Sequence, residues 1–412
     1  MKSLGIIFIF IAQCVNAQIH SIEDWVKKNN ISIDSTYGMN SIIGKPEVQI
    51  IGFGEASHGQ GSFFTHKINS FKWLVENEGF RIFALEAGFA ESLVINQYVL
   101  YGKGSAKESL TYLNYGVWQI AEFVELIEWM RAYNVNKSAE KRIMFYGFDC
   151  QMSKGGVDYI KSVSHIIQYN FRHNELSLLD DLLQLQRTRD RRLAKRIHPL
   201  LSNFITSFAK RISDSDQDVT FKRTSLTVLE NLRYFCDTER NSENQNSLNR
   251  ARFMADNVQN ILDIEGKNIK MVLSAHNGHI STNPKMKEAG FWLKKKFEGK
   301  YYALGYEFNQ GKILGFDVVD EEIVFQELTI QPSAKGTLGN LLSIFVGKDC
   351  LLDLTDSKPV WFSKSQTISD IMGCYGQRGC MDRYTKTNLS LSYNGIIYIE
   401  YTEAAKRMEI IH

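Results

Sequence analysis

The chain has 412 residues, of which 44% are hydrophobic and 12% aromatic, a composition typical of a globular protein with a large core. Its 48 lysines and arginines nearly balance 46 aspartates and glutamates, giving a formal net charge of +2. That balance provides no long-range attraction for nucleic acid or an anionic membrane, so we expect a small-molecule partner and no nucleic acid. Only five prolines are present and no linker stands out, which favours a single domain at residues 18–412.

The first 17 residues show the pattern of a secretory signal peptide. Lys2 supplies a positive charge, residues 4–12 are apolar, and small residues precede Gln18 at a suitable cleavage position. The apolar run is too short to span a bilayer as a helix. We therefore expect an exported protein, periplasmic or secreted, with no membrane span in the mature chain. An uncleaved N-terminal anchor is the alternative.

Five cysteines follow the predicted signal peptide. Because the number is odd, at least one thiol stays unpaired in a monomer. Cys374 and Cys380 lie close together in a Gly-rich loop, and the sequence leaves open whether they form a disulfide in an oxidising compartment.

Short β-rich runs alternate with longer helical patterns along most of the chain. Buried strands are predicted at residues 48–53, 81–85, 142–148, 269–274 and 301–305. Helices are predicted at residues 62–78, 89–101, 118–134 and 284–297, with a charged helical insertion at about 155–265. Further strand-like runs occur at residues 313–319, 322–328 and 395–401. This alternation predicts an α/β fold with a mostly parallel sheet flanked by helices.

Polar residues stand at the carboxyl end of each predicted strand in the first three quarters of the chain. In chain order they are Glu55 and His58, Glu86, Asp149, His276 and His279, and Glu307. Ligands of open α/β sheets bind outside the carboxyl ends of the strands, so we expect these groups to converge at one edge. Glu86 follows a largely apolar run, and a buried carboxylate needs a partner.

Several of the candidate residues also have an ordinary structural explanation. A Glu-x-x-His spacing such as that of Glu55 and His58 occurs by chance in many loops, and a histidine after a strand often caps the next helix. Asp149 can equally be an N-cap. Lys67 shares or borders the apolar face of its helix, where the alternative is a surface lysine with only its stem buried.

Taken together, several sequence blocks resemble the erythromycin esterase family. The opening blocks are Gly54-Glu55-Ala56-Ser57-His58-Gly59, then Phe63-Phe64 and Lys67, and then residues 83–92, which contain Glu86 and Glu91. The later blocks are residues 147–149, 254–257, 275–279 and 301–310. They occur in the family's order between about residues 40 and 405, and their combination is specific although no single block is.

The resemblance implies a hydrolase that opens the macrolactone ring of erythromycin-type macrolides by attack of water, and so inactivates the antibiotic. It implies His58 as general base with Glu55 and Glu86 beside it, and it matches His276 and His279 to the family's second histidine block. The candidate substrate-binding residues within or beside these blocks are Lys67, Glu91 and Asp149. Lys67 stands where macrolide-hydrolysing members carry arginine.

The predicted mechanism uses an imidazole as proton acceptor. Neutral His58 removes a proton from water as it attacks an ester carbonyl, since the usual pKa of histidine lies close to working pH. Glu86 or Glu55 fixes its tautomer. His276, His279 or Lys67 donates toward the oxyanion. Ser57 as a covalent nucleophile is the rival, although the chain has no Gly-x-Ser-x-Gly elbow.

Two further interpretations stay open. We expect no cofactor, but imidazole and carboxylate groups also bind zinc or manganese, so a metal-dependent hydrolase of another ester is one alternative. The chain contains no His-Glu-x-x-His motif. The other alternative is an exported cell-envelope protein of the same fold that binds or acts on a saccharide.

Overall fold

The computed structural model describes residues 20–33, 47–319, 322–355, 358–371 and 383–408. The predicted signal peptide, Cys374 and Cys380 lie outside these residues. Contacts divide the chain into two compact units. Among the described residues, the strand-rich unit comprises residues 20–33 and 53–70 and those between 302 and 405, and the helix-rich unit comprises residues 47–52, 71–301 and 406–408. The single domain at residues 18–412 stays a prediction, because a division of contacts does not decide whether the units fold separately.

Strands and helices alternate along much of the chain. The strands are β1 (Asn30–Ser32), β2 (Ile50–Phe53), β3 (Phe80–Gly88), β4 (Met144–Asp149), β5 (Lys270–Ser274), β6 (Tyr301–Val319), β7 (Glu322–Ile330), β8 (Cys350–Asp353), β9 (Ser365–Ser369), β10 (Tyr384–Asn388) and β11 (Gly395–Thr402). The helices are α1 (residues 20–29), α2 (Gly61–Glu78), α3 (Phe89–Tyr101), α4 (Ala106–Thr111), α5 (Ala121–Asn134), α6 (Lys154–Ile166), α7 (His173–Thr188), α8 (Arg191–Asp214), α9 (Val219–Glu239), α10 (Glu243–Glu265), α11 (Asn277–Ile280), α12 (Ala289–Lys296), α13 (Leu338–Phe345) and α14 (Leu389–Ser392).

The helix-rich unit is built on neighbouring strands in the order β2, β5, β3 and β4. Strand β3 pairs parallel with both β5 and β4. Every residue of β3 except Arg81 is buried, as expected for a parallel strand covered on both faces. Parallel pairing places the carboxyl ends of these strands at one edge of the sheet.

The strand-rich unit has mixed pairing. Strand β6 is parallel to β11 and antiparallel to β7. Strand β11 is also antiparallel to β8, and β8 is antiparallel to β1. Strands β9 and β10 form a separate antiparallel pair.

The helical stretch predicted at about residues 155–265 consists of α6 to α10. Helix α8 shows why this stretch is helical. Six of its apolar residues recur every three or four positions and are buried. These residues are Leu193, Ile197, Leu201, Phe204, Phe208 and Ile212. Its N-cap Asp190 accepts hydrogen bonds from the backbone N–H groups of Arg192 and Leu193, at 2.7 and 3.4 Å.

The predicted α/β class, with a mostly parallel sheet flanked by helices, is confirmed, and all five predicted buried strands are present. Helix α2 ends before Gly79, whose φ of +71° suits a helix terminus. Several predicted bounds were wrong. Helix α12 begins at Ala289 rather than at residue 284, and β6 joins two strands that were predicted separately. Within the described residues, no helix has the length and apolar character needed to cross a membrane.

Candidate active site

The loop that follows β2 is fixed by backbone hydrogen bonds within the strand-rich unit. Gly54 N–H donates to the carbonyl of Leu304 at 2.8 Å, while the carbonyl of Gly59 accepts from Leu314 at 2.8 Å and from Ala405 at 2.9 Å. A Cβ on Gly59 would lie only 2.0 Å from the carbonyl oxygen of Leu314, so glycine is required for this approach. The loop therefore presents its side chains from a rigid backbone.

Glu55 and His58 form a hydrogen-bonded pair on this loop. His58 Nδ1 lies 2.7 Å from Glu55 Oε1, and Glu55 Oε2 pairs with the ammonium of Lys67. Burial alone would raise the pKa of the fully buried Glu55 carboxyl, but Lys67 and His58 together hold it below its usual value. Glu55 is therefore an anion that accepts the Nδ1–H of His58, which leaves the Nε2 lone pair of His58 as the basic position.

Lys67 is completely buried, so the surface-lysine alternative was wrong. Its ammonium lies 5.3 and 5.5 Å from the ring centroids of Phe64 and Tyr306, in addition to its ion pair with Glu55. The carboxylate and the two ring faces replace part of the hydration that the ammonium loses on burial. Within the strand-rich unit, Lys67 is therefore the counter-ion of Glu55.

His66, a histidine that the sequence did not single out, lies next to Lys67 on helix α2. His66 Nδ1 is 2.7 Å from the hydroxyl of Tyr306. Burial, helped by the charge of Lys67, lowers the pKa of His66 to about 4, so its ring is neutral at physiological pH. Burial, helped by Glu55, raises the pKa of Tyr306 well above its usual value, so its hydroxyl keeps its proton.

In the helix-rich unit, the carboxyl ends of β3, β4 and β5 meet around Arg250 of α10. Arg250 Nη2 lies 2.9 Å from Glu86 Oε1 and 2.7 Å from Asp149 Oδ2, and its Nε lies 3.0 Å from Asp149 Oδ1. The two bonds to Asp149 form the bidentate geometry that arginine makes with carboxylates. Asp149 therefore binds arginine here and does not cap a helix, and the N-cap of the following helix is Ser153.

Glu86 is buried with donors on both of its oxygens. Oε1 lies 2.9 Å from Arg250 Nη2 and 3.1 Å from His279 Nε2, and Oε2 accepts the backbone N–H of His276 at 2.9 Å. These donors supply the partners that a buried carboxylate requires. Glu86 thus links the carboxyl end of β3 to α10 and to the segment after β5.

His279 has charged neighbours on both ring nitrogens. Nε2 lies 3.1 Å from both Glu86 Oε1 and Arg250 Nη1, and Nδ1 lies 3.1 Å from Glu288 Oε2. Burial alone would lower the pKa of His279, but Glu86 and Glu288 outweigh burial and Arg250 and raise it to about 9. His279 is therefore an imidazolium at neutral pH.

His276 has a largely structural position. Its backbone N–H binds Glu86, and its Nδ1 accepts the backbone N–H of Gly278 at 3.3 Å as the N-cap of α11. The helix-capping explanation therefore holds for this histidine.

Glu91 lies in the first turn of α3 and is also buried. Its Oε1 accepts the backbone N–H of Gly155 at 2.8 Å. A Cβ on Gly88 would approach Glu91 Oε2 to 2.1 Å, so the carboxylate packs directly on that glycine. Burial is the main cause that raises the pKa of Glu91 to about 7, and the charge of Asp149 adds to it. Through its hydrogen bond to Gly155, Glu91 connects the first turn of α3 to the first turn of α6.

The structure brings the candidates together in two groups. Within the strand-rich unit these are Glu55, His58 and Lys67, and within the helix-rich unit they are Glu86, Glu91, Asp149, His276 and His279. The predicted proximity of His58 to Glu86 and His279 stays a prediction. Sequence reasoning missed the contributions of Arg250 and Glu288, and the only signal for Arg250 was that Glu86 needed a partner.

Two observations bear on metal and thiol chemistry. In the part of the chain that the structure describes, no group of three or more His, Cys, Asp or Glu side chains is arranged to hold a metal ion. Cys150, Cys236 and Cys350 are free and buried, and burial raises the pKa of each thiol, which makes them poor nucleophiles.

The sequence profile of the erythromycin esterase family matches residues 75–402, which is most of the chain. The protein, which has an α/β fold, therefore belongs to the erythromycin esterase family and is a hydrolase of that family. It is 24% identical over 327 residues to erythromycin esterase type II of Escherichia coli, covering 69% of this chain and 76% of that protein. It is also 28% identical over 142 residues to the putative hydrolase YbfO of Bacillus subtilis, covering 32% of this chain and 30% of that protein.

Solved structures share the fold over nearly the whole chain. A Bacillus cereus protein gives a TM-score of 0.81 at 18% identity, covering 95% of this chain and 99% of that one. A succinoglycan biosynthesis protein gives 0.75 at 21% identity, covering 95% and 98%. A mutant of the erythromycin esterase EreC in its open conformation gives 0.68 at 15% identity, covering 91% and 96%. At these identities the similarity establishes the fold.

Proposed function

We propose that this protein is a carboxylic ester hydrolase that opens an ester or lactone bond with a water molecule activated by His58. The observation that carries the proposal is the Glu55–His58 pair, with its 2.7 Å hydrogen bond, on a fixed loop. A histidine oriented by an ionised carboxylate is the arrangement that general-base catalysis requires. Family membership supports hydrolysis as the reaction class.

In the proposed reaction, a water oxygen attacks the carbonyl carbon while His58 Nε2 takes one of its protons. Glu55 stabilises the imidazolium that forms, and Lys67 keeps Glu55 ionised throughout. When the tetrahedral intermediate collapses, the C–O bond to the leaving alkoxide breaks and His58 Nε2 passes its proton to that alkoxide oxygen. The products are a carboxylic acid and an alcohol, and no covalent enzyme intermediate forms.

The charged group in the helix-rich unit is proposed to be required for hydrolysis as well. Arg250 and His279 are cations with N–H donors, the type of group that stabilises an oxyanion. Their geometry depends on Glu86 and Asp149, which accept several of these N–H bonds. Replacing Arg250 or His279 should therefore lower kcat.

As substrate we propose the macrolactone of erythromycin-type macrolides. This choice is supported by the similarity to erythromycin esterase type II. The test is mass spectrometry of macrolides of two ring sizes after incubation with the purified protein. Addition of one water to the macrolide is the expected result. If macrolides stay intact while simple esters are hydrolysed, the protein is an ester hydrolase but macrolides are not its substrates.

A second candidate is an envelope protein that binds or modifies a saccharide. It is favoured by the shared fold with a protein whose name refers to succinoglycan biosynthesis. Saccharide binding measured by calorimetry, together with no turnover of any ester or lactone, would select this function over the first. A metal-dependent hydrolase would instead lose activity on dialysis against a chelator and contain metal by elemental analysis.

We also propose that the protein is exported, from the signal-peptide pattern of residues 1–17. Expression of the full chain followed by N-terminal mass analysis tests this directly. A mature chain that begins at Gln18 is expected. Recovery of the intact chain from the cytoplasmic fraction would contradict export.

A further inference from the structure

Glu288 occupies the N-cap position of α12 without acting as a cap. Its side chain makes no capping hydrogen bond, and glutamate is not among the residues that usually cap helices. Its Oε2 instead lies 3.1 Å from Nδ1 of His279. The Glu288 carboxylate therefore hydrogen-bonds to the imidazole of His279 and not to the backbone of α12.

The backbone around Glu288 is shaped to bring it there. Lys287 adopts a φ of +56°, a left-handed conformation that is unfavourable for a residue with a side chain. A Cβ on Gly290 would lie only 2.0 Å from the carbonyl oxygen of Ile280, so the first turn of α12 packs directly on the end of α11. The Tyr301 hydroxyl donates to the same carbonyl at 2.8 Å. These contacts hold Glu288 against the short helix that carries His279.

We infer that Glu288 is a positioning residue that keeps a proton on Nδ1 of His279 and so confines the proton exchange of this ring to Nε2. The inference rests on the proposed hydrolytic function and deepens it, because it assigns His279 one defined acidic position. Neither the resemblance of the sequence blocks nor the strand ends pointed to Glu288.

The neighbours of Nε2 fit both protonation states of the ring. When Nε2 carries a proton, it donates to Glu86 Oε1 at 3.1 Å. When that proton is absent, the Nε2 lone pair accepts an N–H of Arg250 at the same 3.1 Å. In both states Nδ1–H donates to Glu288, so the ring has no need to turn. Without the carboxylate, a neutral ring could place its one proton on either nitrogen.

Three charged groups from three elements face His279. Glu86 comes from β3, Arg250 from α10 and Glu288 from α12. Arg250 opposes the positive charge on the ring, whereas the two carboxylates favour it. Glu288 therefore adds to Glu86 in favouring the charged ring beside a guanidinium.

The test is NMR of the ring nitrogens in protein labelled with ¹⁵N-histidine. The chain has nine histidines, so the signals of His279 are identified by their loss in His279→Asn. Glu288→Gln keeps the size of the side chain and removes its charge. We expect the pKa of His279 to fall by about one unit or more and the neutral ring to show both tautomers. Glu298→Gln, at an exposed site just beyond α12, is the matched control and should behave as wild type.

Glu288→Asp provides a second variant that keeps the charge. It should retain the Nδ1-protonated tautomer, although its shorter side chain weakens the hydrogen bond. An unchanged titration and a single unchanged tautomer in Glu288→Gln would overturn the inference. The NMR measurement needs no turnover, so a failure of the proposed hydrolase function would appear separately, as absent activity in a protein whose His279 still responds to Glu288.

Discussion

His58 donates its Nδ1–H to Glu55 at 2.7 Å, and Glu55 is held ionised by a lysine that has no exposed surface. The buried ammonium of Lys67 is thus the counter-ion of the Glu55–His58 pair. Since a carboxylate that lost its charge would no longer favour the imidazolium, the basicity of His58 depends on Lys67.

Lys67→Met should destabilise the protein strongly. The substitution keeps the volume of the side chain but leaves Glu55 as a buried charge without its cation, which typically costs about 3–5 kcal/mol. Chemical denaturation of wild type and variant measures the difference. Lys107→Met, at an exposed site on α4, is the control and should change stability by less than about 0.5 kcal/mol.

The double variant Lys67→Met/Glu55→Gln separates charge from packing. Because it also removes the stranded anion, it should recover much of the stability lost in Lys67→Met, while activity stays low. If Lys67→Met alone were as stable as wild type, the buried ion pair would not have the role assigned to it.

Glu91 should make stability fall as pH rises toward neutrality. Burial raises its pKa to about 7 in the folded protein, whereas the unfolded chain releases this proton near its usual pKa of about 4.3. Between these pH values the folded state holds the extra proton, so unfolding becomes easier as pH increases. The full effect is roughly 4 kcal/mol. Denaturation of wild type and Glu91→Gln between pH 4 and 8 measures it.

Glu91→Gln should be the more stable protein above pH 7, because its amide oxygen can still accept the N–H of Gly155 without a buried charge. Glu125→Gln, at an exposed position on α5, controls for the loss of one carboxylate. Parallel stability curves for wild type and Glu91→Gln over this pH range would contradict the prediction.

Arg250→Met should be more damaging than its partly exposed position suggests. The guanidinium is the shared cation of Glu86 and Asp149, and its removal leaves two buried carboxylates short of a partner. A loss of about 3–5 kcal/mol is expected. Arg250→Lys keeps one charge but not the bidentate bond, so it should be less destabilised and still lose activity.

Arg252 provides the matched control on the same helix. Its side chain is 65% exposed and lies 3.9 Å from Asp256, so Arg252→Met should leave both stability and kcat close to wild type. Equal effects of the two methionine variants would show that the contacts of Arg250 add nothing beyond a surface charge.

The sequence predicted the parts of the site that follow directly from strand ends. Glu86 stands after a run of apolar residues, and its burial with several donors is the outcome that such a run implies. His276 and His279 follow β5 for the same reason. Parallel pairing of β3 with β4 and β5 explains why residues far apart in the sequence meet there.

The residues that were missed lack such a local signal. Arg250 lies in a charged helix where no local pattern marks it as a partner of Glu86, and only the fold brings the two together. Glu288 was placed inside a helix predicted to begin at residue 284, whereas the left-handed Lys287 separates the preceding turn from α12. Lys67 was ambiguous because its burial depends on Glu55, twelve residues earlier.

The proposed hydrolysis depends most on His58, the group that activates water. The most direct measurement is kcat/KM for an ester that the wild type cleaves, compared among wild type, His58→Ala and Ser57→Ala. His58→Ala should lose roughly a hundredfold to ten-thousandfold, the usual contribution of a general base, while Ser57→Ala stays within a few fold of wild type. Full activity in His58→Ala, or a complete loss confined to Ser57→Ala, would contradict the account.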